Sequence, residues 1–329
     1  MRPLPADRYV DPAIYAAEQR AIFRREWLVL GALAAIPEGH AMATTVAGLP
    51  VVVRRGAGDD VQGFVNLCRH RAGPLVWDGQ TERCPRFRCK YHGWQYGLDG
   101  ALLRTPGFGA DPPKTALQPV KLRVWRGLIF GCFAAEPPDL GPRLAALKAG
   151  AGELDWTHWE LGQTASHSLA CNWKNYAENY LEGYHIPYLH PSLSREVDIE
   201  TYQVVIDPHV IRHVVEADDD AVYSGFWAMI WPNTAINVYQ GGLSLERIVP
   251  TGPQSMRIDY TYLFDPTADA AQRNDAVAMS TEVTAEDKAI CEAVQLNLAS
   301  GLYEPGWLSP RHETGVGAFQ DWVRAAMGP

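Results

Sequence analysis

The sequence predicts an α+β chain: a small β-domain, followed by a domain in which an antiparallel sheet packs on a long C-terminal helix. Three observations predict it. From Trp27 to about Ala134 the apolar residues fall in short β-rich runs (WLVLGAL, LPVVVRR, GFVNLC, GLIFGCF) punctuated by Gly, Pro and Asp. Beyond a Pro/Gly-rich break, AAEPPDLGPRL from Ala134, come further strand-like runs: TYQVVI, HVIRHVVE, AVYSGFWAMIW, TAINVYQ and RIDYTYLF. A long helical stretch from about Asp275 to Ser300 follows them.

Asp11 as N-cap, Pro12 at the first helical position and apolar Ile14, Tyr15, Ile22, Phe23 and Trp27 predict an N-terminal helix leading into a strand. The expected division is 1–26 for this helix, 27–138 for the β-domain and 139–329 for the α+β domain. A polar helix is expected from Asn172 to Tyr184, and the acidic run Glu216–Asp220 reads as a solvated turn. At 329 residues the chain can hold two cores, and 47% hydrophobic with 20% charged residues is ordinary for a globular protein. A net charge of -9 argues against a nucleic-acid partner, which would favour a basic face. The N-terminus lacks the pattern of a signal or transit peptide and no run of eighteen apolar residues occurs, so no membrane partner and a cytoplasmic location are expected. Six cysteines are too few for a disulfide scaffold and read as thiols or ligands.

Their spacing narrows the choice. Cys68-Arg-His70 and Cys89-Lys-Tyr-His92-Gly-Trp94 each offer one thiolate and one imidazole on a tight turn, with eighteen residues between His70 and Cys89. Two Cys and two His could suit tetrahedral zinc, although zinc sites more commonly pair Cys with Cys and His with His. Mixed halves suit a [2Fe-2S] cluster that takes both thiolates on one iron and both imidazoles on the other, with Gly73, Pro74, Gly93, Gly97 and Gly100 allowing close approach. Cys84, five residues before Cys89, reads as a spare thiol, because its use as a ligand would leave His70 and His92 without a role. The Cys-x-His and Cys-x-x-His-Gly-Trp pairing resembles the Rieske signature, which implies Cys68, His70, Cys89 and His92 as the cluster ligands.

A second constellation lies in NWKNYAENYLEGYHIPYLHP, from Asn172 to Pro191. On a regular helix His185 and His190, five apart, would point about 140° away from each other. Pro187 lies between them, so the helix is expected to end or kink just after His185 and free His190 to turn back. Fe(II) that must bind O2 needs three ligands on one side and open positions on the other, as in a two-His-one-carboxylate site. The stretch resembles the mononuclear-iron segment of Rieske non-heme iron oxygenases, and the resemblance extends over nearly the whole chain. It implies a helix-grip catalytic domain with His185 and His190 as ligands. In TAEDKAICEAVQLNLAS, which offers Glu282, Glu286, Asp287 and Glu292, it implies Asp287 as the third, leaving Glu286 as a solvated neighbour. Glu182 is implied to link His185 to His92 of the partner subunit rather than to bind iron.

No Gly-x-Gly-x-x-Gly fingerprint follows a strand, so NAD(P)H must be oxidised elsewhere. The resemblance implies a terminal oxygenase that uses O2, takes electrons from a separate NAD(P)H-dependent reductase or ferredoxin, and forms a head-to-tail homotrimer. Glu at 182 and the stretch WPNTAINVYQGGLSLERIVPTGP resemble oxygenases of small quaternary or methylated amines such as glycine betaine, carnitine and stachydrine. Aromatic faces suit such cations, and Tyr223, Phe226, Trp227, Trp231 and Tyr239 are the wall residues to consider, although alternate strand residues face opposite sides. Two other readings stay open: an aromatic-ring dioxygenase or O-demethylase with an apolar pocket, and a Rieske electron carrier with no mononuclear iron. His40, His158, His167, His209, His213 and His312 read as surface or packing residues.

Overall fold

The computed structural model describes residues 2–109, 113–195, 197, 199–214, 225–239 and 241–328; Tyr223 and the run Glu216–Asp220 lie outside them. The chain divides into two compact units, Arg24–Pro138 and Met1–Phe23 with Asp139–Pro329. No helix among the described residues is long and apolar enough to cross a membrane.

The Arg24–Pro138 unit is built from short antiparallel strands: β1 (Leu28–Ala32), β2 (His40–Val46), β3 (Leu49–Arg55), β4 (Val61–Val65), β5 (Thr81–Arg83), β6 (Phe87–Arg88), β7 (Gln95–Tyr96), β8 (Leu102–Arg104), β9 (Lys121–Trp125) and β10 (Leu128–Cys132). They form sheets ordered β4-β3-β2-β5, β1-β10-β9 and β6-β7-β8. Two-residue turns with both residues at positive φ, Ala47-Gly48 and Arg126-Gly127, join β2 to β3 and β9 to β10. Such turns match the strand twist, and Gly at the second position relieves the strain. Ala41, Ala43, Val52, Phe64, Phe87, Trp94 and Tyr96 form part of one buried cluster in this unit.

The other unit holds α1 (Asp7–Val10), α2 (Pro12–Glu18), α3 (Gly141–Ala151), β11 (Glu160–Leu169), α4 (Trp173–Tyr180), α5 (Ile186–Leu189), β12 (Gln203–Asp207), β13 (Val210–Val214), β14 (Gly225–Ile230), β15 (Thr234–Tyr239), β16 (Gly242–Gly252), β17 (Ser255–Phe264), α6 (Ala270–Ala299) and α7 (Thr314–Met327). Its seven strands form one antiparallel sheet in the order β11-β17-β16-β15-β14-β13-β12, so the mixed α+β class expected from the sequence holds. Helix α6 lies on this sheet: Tyr260 Oη and Thr284 Oγ1 are 2.8 Å apart, and Tyr262 Oη donates to Ser280 Oγ at 2.9 Å. A capping box between Asp269 and Gln272 starts α6 at Ala270, five residues before the expected start. Asp11 caps α2 as its position predicts, Oδ1 accepting from Ala13 N at 2.7 Å. Helix α2 then passes into a π-helical turn, Gln19–Phe23. Helices α3 and α7 are additions that the sequence pattern did not reveal.

Helix α4 is tied to α2 by a buried ion pair. Lys174 Nζ lies 2.6 Å from Glu18 Oε1, with both side chains 0% exposed. Trp173 Nε1 donates to Glu18 Oε2 at 2.9 Å, and Lys174 Nζ also reaches Asn172 Oδ1 at 2.9 Å. Further along α4, Tyr9 Oη lies 2.8 and 2.9 Å from the two carboxylate oxygens of Glu178. Burial pushes the Glu178 carboxyl up to about 7, against the opposing pull of that hydrogen bond. A carboxyl raised on folding contributes stability that is full below its unfolded value and is lost as pH rises through the folded one. Between pH 5 and pH 8 the melting temperature of Glu178→Gln is therefore expected to gain a few degrees on the wild type, at roughly 2–4 °C per kcal/mol for a domain of this size. Parallel pH profiles for the two proteins would contradict the assignment.

Candidate metal centres

Two turns of the Arg24–Pro138 unit bring the Cys and His pairs together. Cys68 N donates to Gly73 O at 2.8 Å and Ala72 N to Cys68 O at 3.0 Å. The second turn repeats this around Cys89, whose N–H reaches Trp94 O at 2.8 Å while Gly93 N reaches Cys89 O at 3.2 Å. Lys90 N bonds Pro74 O at 2.9 Å and ties the two turns. Cys68 and Cys89 belong to one buried cluster, and the His70 and His92 rings lie 4.7 Å apart. His70 stacks on Trp94 at 4.9 Å. A Cβ on Gly73 would sit 2.9 Å from Cys89 Sγ and 2.8 Å from Tyr91 Cβ, so only glycine fits between the turns.

These residues fit a [2Fe-2S] cluster. Among the described residues His70 Nδ1 is buried without a hydrogen-bond partner, a costly state for an imidazole nitrogen unless it has a ligand to bind. Tyr96 Oη accepts from Arg69 N at 3.0 Å and lies 3.1 Å from Cys68 Sγ, so its proton is free to point at that sulfur. Cys84 is buried in the same core, its N–H on Gly39 O at 2.8 Å, and burial pushes its thiol up to about 11.

The second site forms on α4, α5 and α6. Helix α4 ends at Tyr180, four residues short of the expected Tyr184, and Pro187 does not end it. Instead Pro187 stands in the first turn of α5, where a missing N–H is no loss, with His185 as N-cap and His190 as C-cap. The chain breaks earlier because Glu182 Oε2 takes the N–H groups of Tyr184 and His185, the latter at 3.1 Å. The two imidazoles flank one helical turn and face each other, with 3.0 Å between their Nε2 atoms.

Asp287 of α6 meets them. Its Oδ1 lies 3.1 Å from His190 Nε2 and 3.7 Å from His185 Nε2, and ligand atoms of the three residues all fall within 4.8 Å of one another. Each outward nitrogen has a carboxylate: His185 Nδ1 lies 2.6 Å from Glu182 Oε1, and His190 Nδ1 lies 2.7 Å from Glu286 Oε2. Glu286 is thus not the solvated neighbour that the sequence suggests. Being 100° round α6 from Asp287, it reaches the far side of the His190 ring. With both Nδ1 protons donated to carboxylates, both Nε2 lone pairs face the shared point, the arrangement a metal-binding imidazole requires. Asn179 Nδ2 donates to Asp287 Oδ1 at 2.7 Å and fixes the third group. Two imidazoles and one carboxylate suit a ferrous ion with open positions.

A cavity opens beside these groups, walled by Tyr176 and Tyr180 of α4, by Tyr202, and by Trp227, Glu246 and Tyr260 of the sheet. Of the expected aromatics, Trp227 lines it. Phe226 and Trp231 do not, because strand alternation sends Phe226 towards α3, where a Cβ on Gly150 would meet its ring at 2.0 Å, and Trp231 packs on Phe319 and Trp322 at 5.5 and 5.9 Å. Tyr239 shares the face of Asn237 but lies about 7 Å further along β15, beyond the cavity. Tyr223 lies outside the described residues. His213, expected as a packing or surface residue, pairs across the sheet with Trp227 and lines the cavity. Its Nδ1 is hydrogen-bonded to Tyr202 Oη, its buried Nε2 has no partner among the described residues, and burial lowers its pKa to about 3, leaving it neutral.

Glu246 is the acid that sequence reading missed. It is 3% exposed, and Tyr176 Oη donates to its Oε1 at 2.6 Å. Burial pushes its carboxyl up to about 7; Tyr176, Tyr260 and Asn237 pull it down by hydrogen bonding, while Asp287 adds to the rise. A charged residue inside the apolar run GLSLERIVP was the available signal.

Residues 156–213 and 201–329 match the ring hydroxylating alpha subunit (catalytic domain) family, and residues 26–121 match the Rieske [2Fe-2S] domain. The chain is 29% identical to a chloroplastic choline monooxygenase of Beta vulgaris, covering 98% of this chain and 76% of that protein. It is 26% identical to the glycine betaine monooxygenase oxygenase subunit of Chromohalobacter salexigens, covering 98% and 85%. In fold it resembles a quaternary ammonium Rieske monooxygenase studied for carnitine oxidation by gut microbiota, with a TM-score of 0.89 at 21% identity over 99% of this chain and 96% of that one. Naphthalene 1,2-dioxygenase from Rhodococcus sp. shares the fold with a TM-score of 0.80 at 19% identity over 98% and 94%. The chain therefore belongs to the alpha subunits of the Rieske non-heme iron oxygenases, O2-using oxidoreductases with a Rieske [2Fe-2S] domain and a mononuclear iron domain.

Proposed function

We propose that this oxygenase hydroxylates or demethylates a small N-methylated or quaternary amine at a ferrous ion held by His185, His190 and Asp287. Cys68, His70, Cys89 and His92 hold the cluster, and a separate NAD(P)H-dependent reductase or ferredoxin supplies its electrons. The observation that carries the reading is the convergence of His185 Nε2, His190 Nε2 and Asp287 Oδ1 beside a cavity walled by Tyr176, Tyr180, Tyr202, Trp227 and Tyr260. Aromatic faces attract alkylammonium ions, and the relatives named for choline and glycine betaine favour the same class.

When bound, the iron activates O2 and the cluster delivers single electrons. The chain's own groups have separate tasks. Glu182 and Glu286 hold the Nδ1 protons of His185 and His190, and Asn179 orients Asp287. The aromatic walls exclude water and hold the substrate's methyl groups near the open side of the site. Glu182 is 12% exposed in its side chain, enough to serve also as the relay from His92 of the partner subunit in a homotrimer.

The test is a substrate screen with O2 uptake and product detection: choline, glycine betaine and carnitine against aromatic acids and aryl methyl ethers. Uptake coupled to oxidised product is expected with the ammonium compounds. Product from the aromatic compounds alone would replace this reading by a ring dioxygenase or O-demethylase.

A further inference from the structure

The charge of the cavity is one-sided. Glu182, Glu246 and Asp287 line it together with three histidines, and no lysine or arginine lines it among the described residues. Positions 1, 110–112, 196, 198, 215–224, 240 and 329, which lie outside the description, contain no lysine, arginine or histidine. Asp287 and Glu182 are committed to the two histidines at the metal position. Glu246 is not. It stands on β16 opposite Tyr260 of β17 and accepts from the Tyr176 hydroxyl, and no lysine or arginine among the described residues forms an ion pair with it. The nearby Arg247 points the other way along the strand alternation, 3.3 Å from Asp259.

Burial raises the Glu246 carboxyl to about 7, a cation beside it favours the charged form, and that carboxylate with the aromatic faces then attracts the cation by charge as well as by the ring quadrupoles. A carboxylate carried by that same cation would find no lysine or arginine in the lining among the described residues, and Glu182, Asp287 and an ionised Glu246 together outweigh the two positive charges of a ferrous ion held there. His213 offers no help, since burial keeps it neutral.

We infer that the cavity selects a small ammonium ion with an uncharged tail over one bearing a carboxylate, and that Glu246 is the counter-charge responsible. This rests on the ammonium reading above and sharpens it to one class. Glu246 touches the substrate's cationic group in this scheme and takes no part in the oxygen chemistry.

The experiment is anaerobic calorimetry on the iron-loaded full chain with three probes: choline, its neutral carbon isostere 3,3-dimethylbutan-1-ol, and glycine betaine. The wild type is expected to bind choline at least about tenfold more tightly than either of the others. Glu246→Gln is expected to bring choline down to the level of the isostere while leaving the isostere itself unchanged, and Glu246→Asp to keep much of the preference. Equal loss of choline and isostere would make Glu246 a structural acid and overturn the assignment. The wild-type comparison stands even if the glutamine variant fails to fold: equal binding of choline and glycine betaine overturns the selectivity and leaves the ammonium reading intact. If neither choline nor glycine betaine binds, both fall.

Discussion

Asp287→Ala is expected to lose one of about three irons per chain and to abolish turnover, by at least about 10³-fold, while the visible spectrum of the Rieske cluster persists. The expectation follows from where the ligand atoms lie. Asp287 Oδ1 is within 3.1 Å of His190 Nε2 and 3.7 Å of His185 Nε2, so its removal leaves two neutral imidazoles and no anionic ligand for a divalent ion. The four cluster residues belong to the other compact unit and keep their own backbone turns. His185→Ala is expected to behave alike. Glu286→Gln should be milder, since it alters only the acceptor on His190 Nδ1; about 10- to 100-fold in iron affinity is the usual scale for such a partner. Full iron content in Asp287→Ala, or loss of the Rieske spectrum with the iron, would remove the site as drawn.

Lys174→Met is expected to destabilise the protein by about 3–5 kcal/mol, seen as a fall of roughly 10 °C in melting temperature. Both side chains of the Glu18–Lys174 pair are 0% exposed, and the substitution leaves a buried carboxylate with Trp173 Nε1 as its remaining donor among the described residues. The burial that makes the pair tight also lowers the Lys174 pKa, with Glu18 opposing that fall. Replacing both members, Glu18→Gln with Lys174→Met, should recover much of the loss, because the stranded charge is then gone. A single variant costing under about 1 kcal/mol would show that water reaches Glu18.

The contrast between what the sequence revealed and what it hid is physical. Cys68, His70, Cys89 and His92 were legible because each Cys–His pair sits within one turn, so short spacing carries the geometry. His185 and His190 were legible as a pair, but the reason for their meeting was not: Glu182 captures two backbone N–H groups and breaks the helix ahead of Pro187. That side-chain bond leaves no mark in a periodicity. Glu286 was misread because one residue's separation on a helix suggests opposite roles, whereas the His190 ring is wide enough to meet both acids.

The cavity wall was the least legible part. On β16 every residue from Gly242 to Pro250 is buried, so no alternation of polar and apolar residues says which way Glu246 faces. Tyr176 and Tyr180, four apart on α4, carried a helical signal for a shared face, and it pointed at the cavity. Helix α7 was hidden by its glycines. A Cβ on Gly315 would come within 2.6 Å of Leu181 O, so packing demands a residue that weakens the helical pattern.

One measurement bears most directly on the whole scheme. The full chain, reduced without oxygen and then freed of reductant, is mixed once with O2 and an N-methylated ammonium compound, and oxidised product is counted per chain. Product approaching one per chain is expected from the wild type, with none from His185→Ala at the same Rieske absorbance. Equal product from both proteins, or no product from the wild type, would contradict it.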